Sequence, residues 1–545
     1  MKSIFIVLAI VVLAGGLLLS QEHHAAAVGP ITLQPGMGNL HHPIASTSPE
    51  AQKFFDQGLT LIYGFNHGDA DRSFRRAAEL DPKSPMPWWG IALALGPNYN
   101  LDVDPEREKA AYDAIQKALA LSANASASEQ AYVKALAARY TNDPKADYQQ
   151  LARAYRDAMR QLAAGYPDDP DAVTLYAESM MDLNPWQLWT ADGKPAANTA
   201  EIVAQLEAVL RAYPNHVGAN HFYIHAVEAS PNPERALPSA ARLQTLVPDA
   251  GHLVHMPAHI YQRTGDFQDA ANSNVAAIQA DRAYVERTGT QGSMYDMMYY
   301  THNLHFLTMA CAMQGNSKCA IETSQEMVRH VSPGVKEMPM LEGFVAWLPF
   351  MLARFHQWDD ILALPAPDAS LAIESGAWHY ARGLAFTAKG DAKNAQAARA
   401  ALAAIVDKMP ADAPYGLNHA KTVLQVASAM LDGKMAAAAG NAKDALAAYR
   451  KAVALQDQLK YDEPQDWYYP VRETLGAALL ASGDAAGAEA VFREDLQQNP
   501  RNGRSLYGLA KALAAQNKTA ESSWVQEQFK VAWTQADVRP NLAEY

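Results

Sequence analysis

The sequence predicts an all-α chain assembled from repeated helix–turn–helix units, and three observations carry that prediction. The 545 residues are 49% hydrophobic and 19% charged, enough apolar material for a large core. Alanine is abundant and runs of β-branched residues are scarce, a bias toward helix. Most informative is a recurring phrase: GDFQDA (265–270), GNSKCA (315–320), GDAKNA (390–395), GNAKDA (440–445) and GDAAGA (483–488). Each has a Gly, a polar residue directly or soon after it, and an Ala five positions beyond the Gly. The Gly ends one helix in a left-handed conformation, the Asp or Asn caps the next, and the Ala lets the two helices approach closely.

Weaker copies are FNHGDA (65–70) and PNPERA (231–236), while NKTAES near 517 carries Ser522 where Ala is expected. Ala236 and Ala270 are 34 residues apart, as are Gly483 and Asn517. Longer gaps elsewhere imply extended helices or inserted loops.

A 34-residue helix–turn–helix period is that of the tetratricopeptide repeat, or TPR. The segment DAAGAEAVFREDLQQNPRNGRSLYGLAKALAAQ (484–516) resembles that family, with Ala, Phe and Pro at its offsets. FNHGDADRSFRRAAELDP…PWWGIALALGPN (65–98) and DEPQDWYYPVRETLGAALL (462–480) look like an exported bacterial subgroup of TPR proteins with no assigned activity. The resemblance covers most of 50–535 and implies a right-handed α-solenoid whose first helices line a concave groove.

The elements follow in order. Residues 1–27 read as an export signal, with Lys2, an apolar run Ile4–Leu19 and Ala25-Ala26-Ala27 as a cleavage site; an uncleaved N-terminal anchor is the alternative. Export places the chain in the periplasm or outside the cell, or leaves it membrane-anchored and facing the periplasm. An extended entry segment fills 28–48, and its His41-His42-Pro43 reads as an exposed loop. Ser48 caps a first helix that begins at Pro49 and Glu50. TPR-like repeats then occupy 49–200, a His-rich central set 201–340 and a C-terminal set 341–535, with a tail at 536–545.

The formal net charge of −13 argues against a nucleic-acid or anionic-membrane partner, because phosphate binding needs a surplus of Lys and Arg. Membrane contact is expected only through the N-terminal segment. Cys311 and Cys319 flank the turn at Gly315-Asn316, where antiparallel helices would bring them together. A disulfide suits an oxidising compartment, and two buried thiols are the alternative.

In the family, residues 18, 15, 11 and 8 positions before the motif Ala face the groove. Before Ala270 these are His252, His255, His259 and Gln262; before Ala320, His302 and His305; before Ala236, His221, His225 and Glu228. Helix geometry agrees, since steps of three and four residues keep 252, 255 and 259 within roughly 60° of one another. Such pairs offer two imidazoles to one metal.

Three readings stand side by side: a bound transition metal, a groove for a peptide or envelope protein or anionic ligand, and a buried network with Tyr223, Tyr261, Tyr299 and Asn303. The metal is preferred, because seven clustered imidazoles would repel if protonated. All-nitrogen ligation suits copper, zinc or iron and not calcium or magnesium. The product would be a metal-binding protein or a mono- or dinuclear metalloenzyme. No HExxH motif is present, which favours oxidative over hydrolytic chemistry. Glu228 is the candidate general base; Glu178 and Asp182 form a second acidic pair. Pro257 in mid-helix would remove a hydrogen bond and kink the chain, so the helix is expected to start near 253–256. His255 and His259 are then the firmer ligands, and His252 the first to be given up.

Overall fold

The structure, a computed structural model, describes residues 29–143 and 145–545; the expected export signal lies outside the described residues. It is all-α apart from a two-residue antiparallel pair, Pro414–Tyr415 with Asn418–His419. No helix among the described residues is long and apolar enough to cross a membrane.

The recurring phrase does what its chemistry predicts. Gly265, Gly315, Gly390, Gly440 and Gly483 all take left-handed φ, between 73° and 88°. Only a residue without Cβ does this at no steric cost. Asn316, Asp391, Asn441 and Asp484 each accept the backbone N–H three residues on, capping the second helix of their pair. The motif alanines 70, 236, 270, 320, 395, 445 and 488 are all buried in helix–helix contacts. Ser522, the exception, is buried too, and its hydroxyl donates to the Ala510 carbonyl at 2.9 Å. The units are TPR-like.

The chain forms two compact units, one of residues up to Ile260 with Ala276–Asp296, the other of Tyr261–Val275 with Met297–Tyr545. In the first, Pro49–Tyr63 pairs with His67–Leu80, Met86–Leu95 with Pro105–Leu121, and Pro170–Met181 with Thr199–Ala212. Ser48 caps the opening helix by accepting from Ala51 N, with Pro49 at its first position.

The entry segment is pinned across these helices rather than looping into solvent. Ala45 N donates to Glu129, Thr47 N to Asp81, and His42 lies 2.8 Å from Asp171. The exposed-loop expectation therefore holds for His41, whose side chain is 60% exposed, and fails for His42, which is buried.

In the second unit the antiparallel pairs are Thr301–Met313 with Ser317–Val331, Ala372–Ala388 with Ala392–Lys408, and Ala420–Ala438 with Ala442–Gln456. They are followed by Arg472–Ala481 with Ala485–Gln498 and Gly503–Ala515 with Thr519–Ala532. Cys311 and Cys319 are joined in a disulfide across the Gly315 turn, their Cα atoms 5.8 Å apart.

Candidate metal centre

Five of the singled-out histidines gather in the first unit. His221 and His225 sit one turn apart on Val217–Val227, a helix buried on every face and followed directly by Glu228. His252 and His255 lie on a short turn of helix, Gly251–His255, and His259 on Pro257–Thr264. Pro257 divides the two as the first residue of the later helix, where its missing N–H costs nothing. His252 is thus on a helical turn and not in a loop. That turn fits because position 251 is Gly: a Cβ there would collide with the Asp281 carboxylate.

The imidazoles are 0–3% exposed, so they are walled in and do not line an open face. Outward ring nitrogens are held by acceptors. His221 Nδ1 lies 2.6 Å from the Tyr63 carbonyl oxygen. His225 Nδ1 and His259 Nδ1 each lie 2.7 Å from a different oxygen of Glu228. A carbonyl or carboxylate oxygen can only accept, so all three Nδ1 atoms carry a proton, and in His221, which stays neutral, the lone pair is on Nε2.

The Nε2 atoms meet their neighbours. His252 Nε2 is 3.2 Å from His221 Nε2, and ring nitrogens of His221, His225 and His252 lie within 4.8 Å of one another. Two imidazoles sharing a tetrahedral ion at 2.0–2.1 Å would stand about 3.3 Å apart. The His255–His259 separation, Nε2 to Nε2, is 2.7 Å, too close for that geometry and right for an N–H···N hydrogen bond. The ring nitrogens of His221, His225 and His252 thus stand at separations that fit one shared ion, with Glu228 and His259 packed behind His225.

Electrostatics act on the same groups. Burial, with His225 adding to it, holds His221 well below the usual histidine range, hence neutral. Burial alone would raise Glu228, but His259 and His225 outweigh it and hold the carboxyl well below its ordinary range. With both oxygens committed to imidazoles, Glu228 orients them and is not placed as a general base.

Aromatic rings cap the cluster. Phe65 lies 4.6 Å from His221, 5.5 Å from His252 and 5.8 Å from His225, centroid to centroid. Tyr99 and Trp186 pack on His225 at 5.4 and 6.1 Å. Phe65 and Trp186 both have positive φ, 56° and 64°, a rare conformation for bulky residues that costs roughly 1–2 kcal/mol each. Phe65 stands five residues before Ala70, the place that Gly fills in the clear copies of the repeat. Strain retained beside a histidine cluster is the kind that functional sites keep.

His302 and His305 belong to the second unit, where His302 packs on Phe306 and His305 is buried against Trp347 at 4.1 Å. Burial pushes His305 down to about 3. Asp182 pairs with buried Arg139 at 2.7 Å, and burial together with Asp182 drives Glu178 well above the carboxylate range. Tyr223 donates to Glu207.

A second histidine cluster escaped sequence reasoning. Asp171 Oδ2 is 2.8 Å from His42 Nδ1, while its Oδ1 accepts from Tyr63 O–H at 2.6 Å and His216 Nε2 at 3.1 Å. His216 Nδ1 accepts the Ala219 N–H, which fixes the proton on Nε2. Asp169 completes a histidine–carboxylate triple with His42 and Asp171, yet its oxygens cap Asp171 N and Ala172 N and take the Tyr132 hydroxyl. These carboxylates are spent on protein donors, so the cluster reads as structural.

No family model and no curated protein matches the chain. Solved helical-repeat structures do. The human IFIT1 dimer with m7Gppp-AAAA is 12% identical with a TM-score of 0.33, over 90% of this chain and 91% of that one. Cut9 with Hcn1, from an APC/C hetero-tetramer, is 13% identical at 0.32, over 85% and 76%. Yeast Tom70 is 10% identical at 0.28, over 91% and 93%. Likeness at this level transfers no ligand and no residue role.

Proposed function

We propose that the first unit holds a transition-metal ion, zinc, copper or iron, on His221, His225 and His252, within an exported TPR-like scaffold protein. The observation that carries this reading is the convergence of ring nitrogens of His221, His225 and His252, with the Nδ1 protons of His221 and His225 fixed from behind by Tyr63 O and Glu228. Metal-binding histidines characteristically donate their other ring N–H to a carbonyl or carboxylate in this way. Neutral imidazole without thiolate suits these metals and not calcium or magnesium. The absence of an HExxH motif favours oxidative over hydrolytic chemistry. The helical-repeat fold itself is of the interaction-scaffold type, with extended surface for a protein partner.

The test is elemental analysis of the full chain after export into an oxidising compartment with metal supplied. About one ion per chain is expected for a single three-histidine site, falling to background in a His221→Ala/His225→Ala/His252→Ala variant of unchanged helicity. Wild-type protein carrying under roughly a tenth of an ion per chain, where one is expected, would refute the proposal.

A further inference from the structure

The second unit contains a cationic pocket that sits oddly in a chain of net charge −13. Arg354 and Arg504 are both buried there, and the Arg504 Nη2 donates to the Arg354 carbonyl oxygen at 3.3 Å. Arg354 holds Glu473 through two bonds of 2.7 and 3.1 Å. Lys434 and His356 complete the wall. Asp495, joined to Glu473 through Asn502, is pushed up to about 7 by burial and by Glu473 itself. Arg354, Arg504 and Lys434 therefore gather around Glu473, with Glu544 beside Lys434 and His356. Burial and Arg504 bring Lys434 down to about 8, and burial and Arg354 lower Arg504. A buried surplus of cations is costly unless an anion joins it.

The chain's own residues 541–545, NLAEY, occupy the pocket. Tyr545 is buried under Arg504, whose guanidinium carbon is 5.0 Å from the ring centroid, and its hydroxyl donates to the Arg504 carbonyl at 3.2 Å. Lys434 Nζ donates to the Tyr545 main-chain oxygen. Glu544 lies 3.4 Å from His356 Nδ1, and Asn541 closes the turn by accepting from Ala543 N. A carboxylate, a cation–π contact and a main-chain oxygen are the elements by which an extended peptide is recognised.

We propose that the pocket of Arg504, Lys434, His356 and Arg354 is a binding site for an acidic peptide segment carrying an adjacent Glu–Tyr pair, with residues 541–545 as its displaceable internal occupant. The site lies wholly in the second unit and is independent of the metal reading. A tethered segment competes at an effective concentration near millimolar, so a partner gains the pocket only when it is tighter or more abundant.

The experiment uses the full chain and a fluorescein-labelled NLAEY peptide, read by anisotropy. Glu544→Ala/Tyr545→Ala should bind the peptide at least ~tenfold tighter than wild type, because the internal competitor is gone. Adding Lys434→Ala should abolish the gain, and an NLAQA peptide should not bind. A double variant of native helicity that binds NLAEY no better than wild type overturns the proposal. If that variant does not fold, hydrogen exchange of the wild type decides. Excess NLAEY should speed exchange of the 541–545 amides, and unchanged exchange at the highest soluble peptide concentration overturns it.

Discussion

Two buried histidine clusters lie side by side in the first unit and share one residue, Tyr63. Its hydroxyl donates to Asp171, and its carbonyl accepts from His221. Around Asp171 the carboxylate is central and the imidazoles point at it. Around Glu228 the carboxylate is behind the rings, and the nitrogens point at one another. The difference teaches that placement of the acid, more than the count of histidines, decides where the ring protons sit. A central carboxylate draws the ring protons to itself, whereas a peripheral one fixes them on the far nitrogens and leaves the near nitrogens facing one another.

The contrast can be broken most forcefully at Asp171. Asp171→Ala strands His42, His216 and the Tyr63 hydroxyl in the interior, and should cost about 3–5 kcal/mol in urea unfolding, as removal of one buried ionic partner does. Metal content per folded molecule should stay unchanged; if it falls with stability, the two clusters are one system.

Glu228→Gln is the reciprocal change, because its amide can accept from only one imidazole. Metal affinity should drop about 10–100-fold by competition with a chromogenic chelator, the usual effect of losing such a partner.

A smaller effect concerns pH. Burial lowers His42, but its hydrogen bond and charge interaction with Asp171 win and raise it. Its stabilising contribution is therefore complete below its unfolded pKa, and is lost as pH rises through the raised folded value. His42→Gln should destabilise the protein more at about pH 5.5 than at about pH 9, values either side of that transition. An equal deficit at both would show that His42 carries no bound proton. The smallest effect is at Phe65. Phe65→Gly should be more stable than Phe65→Ala by about 1 kcal/mol in thermal or urea unfolding, the reverse of the usual order, because φ is positive there.

The fold was legible because its signal is local. Gly315, Asn316 and Ala320 state a turn, a cap and a contact within six residues, and the structure shows each of them. The pairs His221/His225 and His255/His259 were legible for the same reason, through helix periodicity. His252 was expected in an entry loop, and its helical turn depends on Gly251 packing against Asp281, thirty residues on. His42 was unreadable because Asp171 lies 129 residues away. Nor does an exposed groove follow from the repeat register. His225 is covered by Phe65, Tyr99 and Trp186, which the register does not mention.

Phe65 has a consequence for anyone redesigning this chain. Averaging its repeats would mark position 65 as an error and restore glycine, and the backbone would relax as the average promises. The same edit would take away the ring that closes over His221, His225 and His252. In a repeat protein the positions that disagree with their own copies are where selection has written something other than architecture, and a consensus sequence is the procedure that deletes them.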